Sequence, residues 1–274
     1  YIGFNDTVSN GMQGFIQYNH NGDYMAFGPN GTEKVRIDSS GRLLIGTTTE
    51  GHNNAENLTV SASGAAGITI RSTGNNCHLY FSDATSGAGE YVGQITYNHS
   101  SDYMNFIING SERLRISSNG YVTKPNHPSF IAGRTGGNQT FTVGTFPLNV
   151  TRLNVGNHYN TSTYKFVAPV AGVYYFYGQV YYNNGTGTYR LGFRKTPNGG
   201  SAFMLNTAQL GVTGNDNQQN ISIIESLAVG DTVELYSDQN GSIQCYYNIN
   251  AGNYGAHTYF CLLYTSDAAD DVLC

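Results

Sequence analysis

Charge is what this chain has least of. Only 11% of its 274 residues are charged, against about a quarter in ordinary globular domains. That excludes a coiled coil and a chain kept disordered by its own charge. The 13 Lys+Arg are outnumbered by 18 Asp+Glu, for a net charge of -5, so there is no electropositive footprint for nucleic acid. Tryptophan is absent and proline numbers 6. No apolar run approaches the roughly 20 residues needed to cross a bilayer as a helix, so membrane insertion is not expected. Among the 4 cysteines there is no C-x-x-C pair. Cys77 and Cys245 stand far apart, which fits neither a disulfide framework nor a zinc site. The chain carries no G-x-S-x-G, no H-E-x-x-H, no phosphate-binding G-x-x-x-x-G-K-S/T and no G-x-G-x-x-G opening a helix. Glu225 and Glu234 do not read as the paired acids of a glycosidase. No catalytic role is expected.

What is present is turn and strand chemistry. The 35 Gly, 22 Tyr and 13 Phe come with abundant Asn, Ser and Thr, a mixture that favours strands joined by tight turns. The expectation is an all-β protein. No signal peptide opens the chain, and it begins on Tyr1, which reads as a fragment or a processed piece.

The first half repeats itself. Tyr18-Asn-His-Asn-Gly-Asp-Tyr-Met-Ala-Phe27 corresponds to Tyr97-Asn-His-Ser-Ser-Asp-Tyr-Met-Asn-Phe106, and Glu33-Lys-Val-Arg-Ile37 to Glu112-Arg-Leu-Arg-Ile116, at a constant offset of 79. Upstream, Phe4 and Asp6 match Phe81 and Asp83 at an offset of 77. Asn30-Gly31 and its counterpart Asn109-Gly110 separate alternating apolar runs, a strong local hairpin signal. Each copy therefore predicts a β-meander. A few short strands with one apolar face cannot bury enough surface alone and leave open edges. Stacked repeats, or chains packed around an axis, remove both problems.

Glu33-Lys-Val-Arg-Ile-Asp-Ser-Ser-Gly-Arg-Leu-Leu-Ile-Gly-Thr-Thr48 resembles the stalk-repeat signature of phage tail fibres, and Glu112–Val122 resembles it without the Ile-Gly-Thr ending. The resemblance covers about 1–122 and implies a homotrimeric shaft projecting from a virion. The segments so defined are 1–48 for the first repeat, 49–122 for the second with its preceding strands, and 123–128 for a linker containing Pro125 and Pro128.

From residue 129 the pattern changes. Asn154-Val-Gly-Asn-His-Tyr159, Phe166-Val-Ala-Pro-Val-Ala-Gly-Val-Tyr-Tyr-Phe176 and Leu227-Ala-Val-Gly-Asp-Thr-Val-Glu-Leu235 occur in the order of the C1q domain motifs. Tyr259-Phe260-Cys261 would open the closing strand. The resemblance implies a C1q-like jelly-roll sandwich over 129–263 that assembles as a trimer, as tumour-necrosis-factor-type domains do. Independently, Val167, Val173 and Tyr175 alternate with Tyr174 and Phe176 in the manner of a strand paving two faces. Tyr164 departs from the family pattern, which often has Gly there. The segment Cys261–Asp271 resembles one reading frame of a transposase sequencing adapter. This implies a shotgun-assembled gene fragment and a non-native tail over 264–274. Without Asp267, Asp270 and Asp271 the formal charge of -5 becomes -2.

Candidate sites are few. Tyr246, Tyr247, Asn253 and Tyr254 lie in a loop rich in Tyr, Asn and Gly, a composition that joins rigid aromatic area to adaptable hydrogen bonding. They are the expected ligand contacts. Asp216, Asp231 and Asp238 are weak calcium candidates, set against a plainer role as loop acids. Otherwise no metal or cofactor is indicated. His20 and His99 recur beside Asp23 and Asp102, more readily as repeat turn residues than as metal ligands. The expected function is a virion tail-fibre protein, extracellular, whose C1q-like tip binds a host cell-surface glycan or protein. The alternative is a secreted or cell-surface C1q-like adhesin of a cellular organism.

Overall fold

The computed structural model describes residues 2–5, 13–135, 139–141, 143–214, 217–237, 243–245 and 258–266. Among these there is one 3₁₀ turn, Gly87–Tyr91, and no α-helix; the remaining elements are strands. Among the described residues no helix is long and apolar enough to cross a membrane. The chain divides into two compact units, Tyr1–Cys77 and His78–Cys274.

In the first unit six strands lie in sequence order: Ile2–Phe4, Gly14–Asn19, Tyr24–Pro29, Val35–Ile37, Leu43–Ile45 and Leu58–Val60. All pairs are antiparallel except the last, in which Leu58–Val60 runs parallel to Leu43–Ile45. The sequence groups Leu58–Val60 with the second repeat; its hydrogen bonds join it to the first sheet. Directly paired residues share a face. One cross-strand row is Tyr18, Met25, Ile37, Leu43 and Leu58, and the next on the same face is Ile16, Phe27, Val35, Ile45 and Val60. The opposite face carries Ala26 and Leu44, both buried, and Arg36.

A five-stranded sheet built the same way follows, from Asn76–Phe81, whose first two residues still belong to the first unit, Gly93–Asn98, Tyr103–Ile108, Ser111–Ile116 and Val122–Thr123. Its rows repeat those of the first: Tyr97, Met104, Ile116 and Val122, then Ile95, Phe106 and Leu114. The turns repeat as well. Asn30 and Gly31 have φ of 52° and 67°, and Asn109 and Gly110 have 54° and 68°. Two consecutive left-handed residues are what a two-residue hairpin needs to follow the twist of its strands, and Asn-Gly adopts them most readily. Tyr18 donates its hydroxyl to Asp23 at 3.0 Å, as Tyr97 does to Asp102 at 3.2 Å.

The rest of the second unit is a two-layered sandwich. Its front sheet runs Val150–Val155, Ser129–Gly133, Tyr259–Ser266, the first half of Gly172–Thr196, then Asn217–Leu227. The second half of Gly172–Thr196 passes into the back sheet, between Phe203–Gly214 and Thr232–Ser237. One strand of 25 residues thus belongs to both layers. Between them Phe130, Tyr159, Phe166, Tyr174, Phe176, Phe193 and Phe260 are buried against one another, with ring centroids 4.7 to 6.2 Å apart in the contacting pairs. Aromatic pairs at these separations add to the gain from burial itself. The protein is all-β: meander repeats followed by a jelly-roll sandwich.

The closing strand Tyr259–Ser266 includes the adapter-like residues from Cys261 onward, and they keep its alternation. Phe260 and Leu262 point into the core while Leu263 is exposed. Its far end is tied to the linker. The Tyr264 N–H donates to the Pro128 carbonyl at 3.3 Å, and the Tyr264 carbonyl accepts from His127 Nε2 at 2.6 Å, which puts the His127 proton on that nitrogen.

Candidate functional site

The strand Gly172–Thr196 is apolar on both faces over Val173-Tyr-Tyr-Phe-Tyr177, and such a strand needs cover on both sides. The inner side has it: Tyr174, Phe176 and Val180 are buried in the core. The outer side bears Tyr175 and Tyr177, whose cross-strand neighbours are mostly apolar. Tyr175 lies in a row with Ile224, Leu263 and Ser129, and Tyr177 in a row with Ser222, Cys261, Ile131 and Leu153. Ile224 is 65% exposed and Leu263 57%, so the face is open in the single chain. Tyr177 and Tyr259 stack at 5.6 Å with 29° between their planes, and the Tyr177 hydroxyl donates to Gln179 Oε1 at 3.2 Å.

This face is electrically silent. Burial, with Tyr177 beside it, pushes the Tyr259 hydroxyl up to about 12. Burial likewise pushes the Cys261 thiol up to about 11. Both groups are therefore neutral at physiological pH, and the rows contain no acid or base. A flat surface of tyrosine, leucine and isoleucine suits an apolar protein partner covering it broadly.

Charge is concentrated on the back sheet. Glu234, wholly buried, is 2.7 Å from Arg194 Nε and 3.5 Å from Lys165 Nζ, and it accepts a short hydrogen bond from the Thr145 hydroxyl. The Arg194 guanidinium also lies 3.8 Å over the Tyr236 ring. Nearby, Lys195 Nζ sits 3.0 Å from Glu225 and 3.2 Å from Asp231. Glu225 and Glu234 are thus each paired with a cationic side chain.

Of the acids considered for calcium, Asp231 is described. It is buried and organises a turn, accepting the backbone N–H groups of Asn198 and Ala228 at 3.0 Å each. Burial disfavours its charge, but those two donors and Lys195 outweigh that and hold the carboxyl below its usual range. A cation at Asp231 would have to displace these partners. Asp216 and Asp238 lie outside the described residues, as do Tyr246, Tyr247, Asn253 and Tyr254. In the repeats, His20 and His99 pack edge-on against Tyr18 and Tyr97 at 4.9 and 4.8 Å. Among the described residues no three His, Cys, Asp or Glu side chains converge as metal ligands would.

Residues 129–260 match the C1q domain family. The C1q-like domain also has solved structural relatives. Eiger TNF from S. frugiperda is 13% identical, covers 54% of this chain and 99% of its own, and superposes with a TM-score of 0.43. The globular domain of zebrafish complement 1qA is 15% identical, with 51% and 98% covered and a TM-score of 0.38. Murine APRIL is 13% identical, with 51% and 99% covered and a TM-score of 0.39. No curated protein sequence matches the chain.

Within the C1q-like domain, Tyr164 stands in the left-handed region with φ of 62°, which accounts for the glycine often found at that position. The outer face of the front sheet went unnoticed as a surface in the sequence. Its signal was there in the uninterrupted run Val173–Tyr177, where both faces of one strand are apolar.

Proposed function

We propose that this chain is a structural, receptor-binding protein of a virion tail fibre. In this reading it is a homotrimer whose repeats make the shaft and whose C1q-like domain makes the tip. The tip binds a glycan on the host cell surface, with Tyr246, Tyr247, Asn253 and Tyr254 as contacts. The observation that carries the reading is the coupling, on one chain, of a twice-built 79-residue meander to a C1q-like domain. The open, uncharged outer face of the front sheet supports assembly, because a second copy supplies the cover that the first lacks. Three tips held together raise the strength of weak, shallow contacts through effective concentration, so no deep pocket is required. The protein acts by binding and carries out no catalysis.

The C1q match by itself favours a secreted or cell-surface adhesin equally; the stalk-like repeats tip the balance to the virion. Antibodies raised against the chain should label fibre tips on phage particles, whereas labelling of cell envelopes instead would overturn the virion assignment. Light scattering should return a mass near three chains, and Ile224→Glu should lower it with the circular dichroism of the fold retained. A folded monomer for the parent chain would sink the trimer. Binding to host cells should be lost after periodate oxidation of surface sugars; undiminished binding would argue for a protein receptor.

A further inference from the structure

The two meander sheets share a property that neither the C1q match nor the family resemblance describes. On one face of each, the cross-strand rows are apolar from edge to edge. In the first sheet Tyr18, Met25, Ile37, Leu43 and Leu58 are 48, 39, 39, 36 and 50% exposed. Met104, Ile116 and Val122 are 38, 38 and 59% exposed in the second. Charged side chains of the strands, such as Arg36 and Arg115, lie on the opposite face, paired directly with Ala26 and Asn105. A soluble protein does not leave two such faces to water without a use for them.

We infer that the apolar row face of each meander sheet is an interchain surface, covered by the same face of further copies of this chain. The inference rests on the homotrimeric reading above and adds to it the side chains that make the shaft contact. Three observations select a second copy as the occupant. First, the face recurs in the same register, Tyr18 with Tyr97, Met25 with Met104, Ile37 with Ile116 and Leu43 with Val122. A second copy presents a matching pair of faces by construction, and any other partner would have to be fitted twice. Second, the paired rows themselves carry no charge, the carboxylates of Asp23 and Asp102 standing at the rim on the hydroxyls of Tyr18 and Tyr97, so the row centres of like faces meet without repulsion. Third, the area is sufficient. Strands about 4.8 Å apart, rising about 3.3 Å per residue, give each sheet a face of about 400 Å². The two together reach the roughly 800 Å² per partner of a standard stable interface.

The test uses the full chain with a photoreactive benzophenone amino acid in place of Met104 or Ile108, both on the apolar face, or in place of Tyr80. Tyr80 is half exposed and stacks on His78, whose Nδ1 is 3.0 Å from the Thr96 hydroxyl, and these three lie on the other face. Isotopically light and heavy chains are mixed before assembly, so that crosslinks between chains are separated from those within one. The expected result is an oligomer with interchain crosslinks from positions 104 and 108, and loss of those products at position 80. An oligomer that gives none from 104 or 108 overturns the inference and leaves the trimer standing. Equal interchain yield from all three positions, or crosslinks confined to one chain, also overturns it. A folded monomer overturns both the inference and the trimer.

Discussion

Arg36 lays its guanidinium 3.6 Å from the centre of the Tyr24 ring. The same group grips Glu33 with two hydrogen bonds, Nε to Oε1 at 2.7 Å and Nη2 to Oε2 at 2.8 Å. Farther along the chain by 79 residues, Arg115 lies 4.0 Å over Tyr103 and holds Glu112 in the same way. The planar fork and the stacking surface are properties of arginine that lysine does not share.

Arg36→Ala should therefore destabilise the first sheet by about 1–2 kcal/mol, from the lost stacking and the partly buried ion pair. Arg36→Lys should recover less than half of that. Hydrogen exchange of the amides in Tyr24–Pro29 and Val35–Ile37 reads the loss locally, which matters in a chain of two units where a single melting curve mixes contributions.

Tyr164 has its φ of 62° in a turn closed by its own N–H, which donates to the Asn160 carbonyl at 2.7 Å. A left-handed conformation costs a non-glycine residue about 1–2 kcal/mol. Tyr164→Gly should consequently change stability by less than about 1 kcal/mol, relief of strain offsetting the lost ring and the added freedom of the unfolded chain. Tyr164→Val should destabilise by more than about 1 kcal/mol, since a β-branched residue fits that region worst. Denaturant titration of the two variants decides; a valine variant as stable as the glycine one would contradict the strain.

Glu234 is buried between Arg194 and Lys165. Glu234→Gln keeps its shape and removes its charge, so both cations lose their partner. The expected loss is about 2 kcal/mol, less than the roughly 3–5 kcal/mol of a fully buried pair, because each cation retains some contact with water. Thermal unfolding at moderate salt measures it. Arg194→Met in the same background should restore part of the loss by removing the orphaned charge.

Asp231 ties the acid limit of the domain to one turn. Its carboxyl titrates lower in the folded chain than in the unfolded one, so the unfolded state binds the proton more readily. Its contribution is complete above the unfolded value of about 4 and is lost as pH falls through the folded value. Stability measured from pH 6 down to pH 2 should fall less steeply for Asp231→Asn than for the parent, although the variant starts lower at pH 6. Parallel slopes would show that Asp231 does not set the acid limit.

Much of this was legible in the residues. The Asn-Gly dipeptides announced both hairpins because few other pairs take two consecutive positive φ values. The recurrence of Tyr, Asp, Glu and Arg at a constant interval announced that the second sheet would copy the first, down to the hydroxyl on Asp23 and the ring under Arg36. The motif order from Asn154 to Leu235 announced the C1q-like domain. Other features depend on distant parts of the chain. That Leu58–Val60 adds in parallel to Leu43–Ile45 has no local signal, because the intervening residues impose no direction. The pairing of Glu234 with Arg194, across 40 positions of sequence, is of the same kind.

Composition, turn dipeptides and period-two alternation are local quantities, and they suffice to choose strands, hairpins and a repeating unit. They state which residues share a face but not whether that face meets the core, water or another chain. For Val173–Tyr177 and for the rows through Met25 and Met104, the alternation is equally apolar wherever the face ends up. Only the assembled sheets distinguish them: Tyr174 and Phe176 close on the opposing layer, while Ile224, Leu263, Met25 and Met104 are left open. Burial is a property of the whole packing, and it is there that the surfaces for partners become visible.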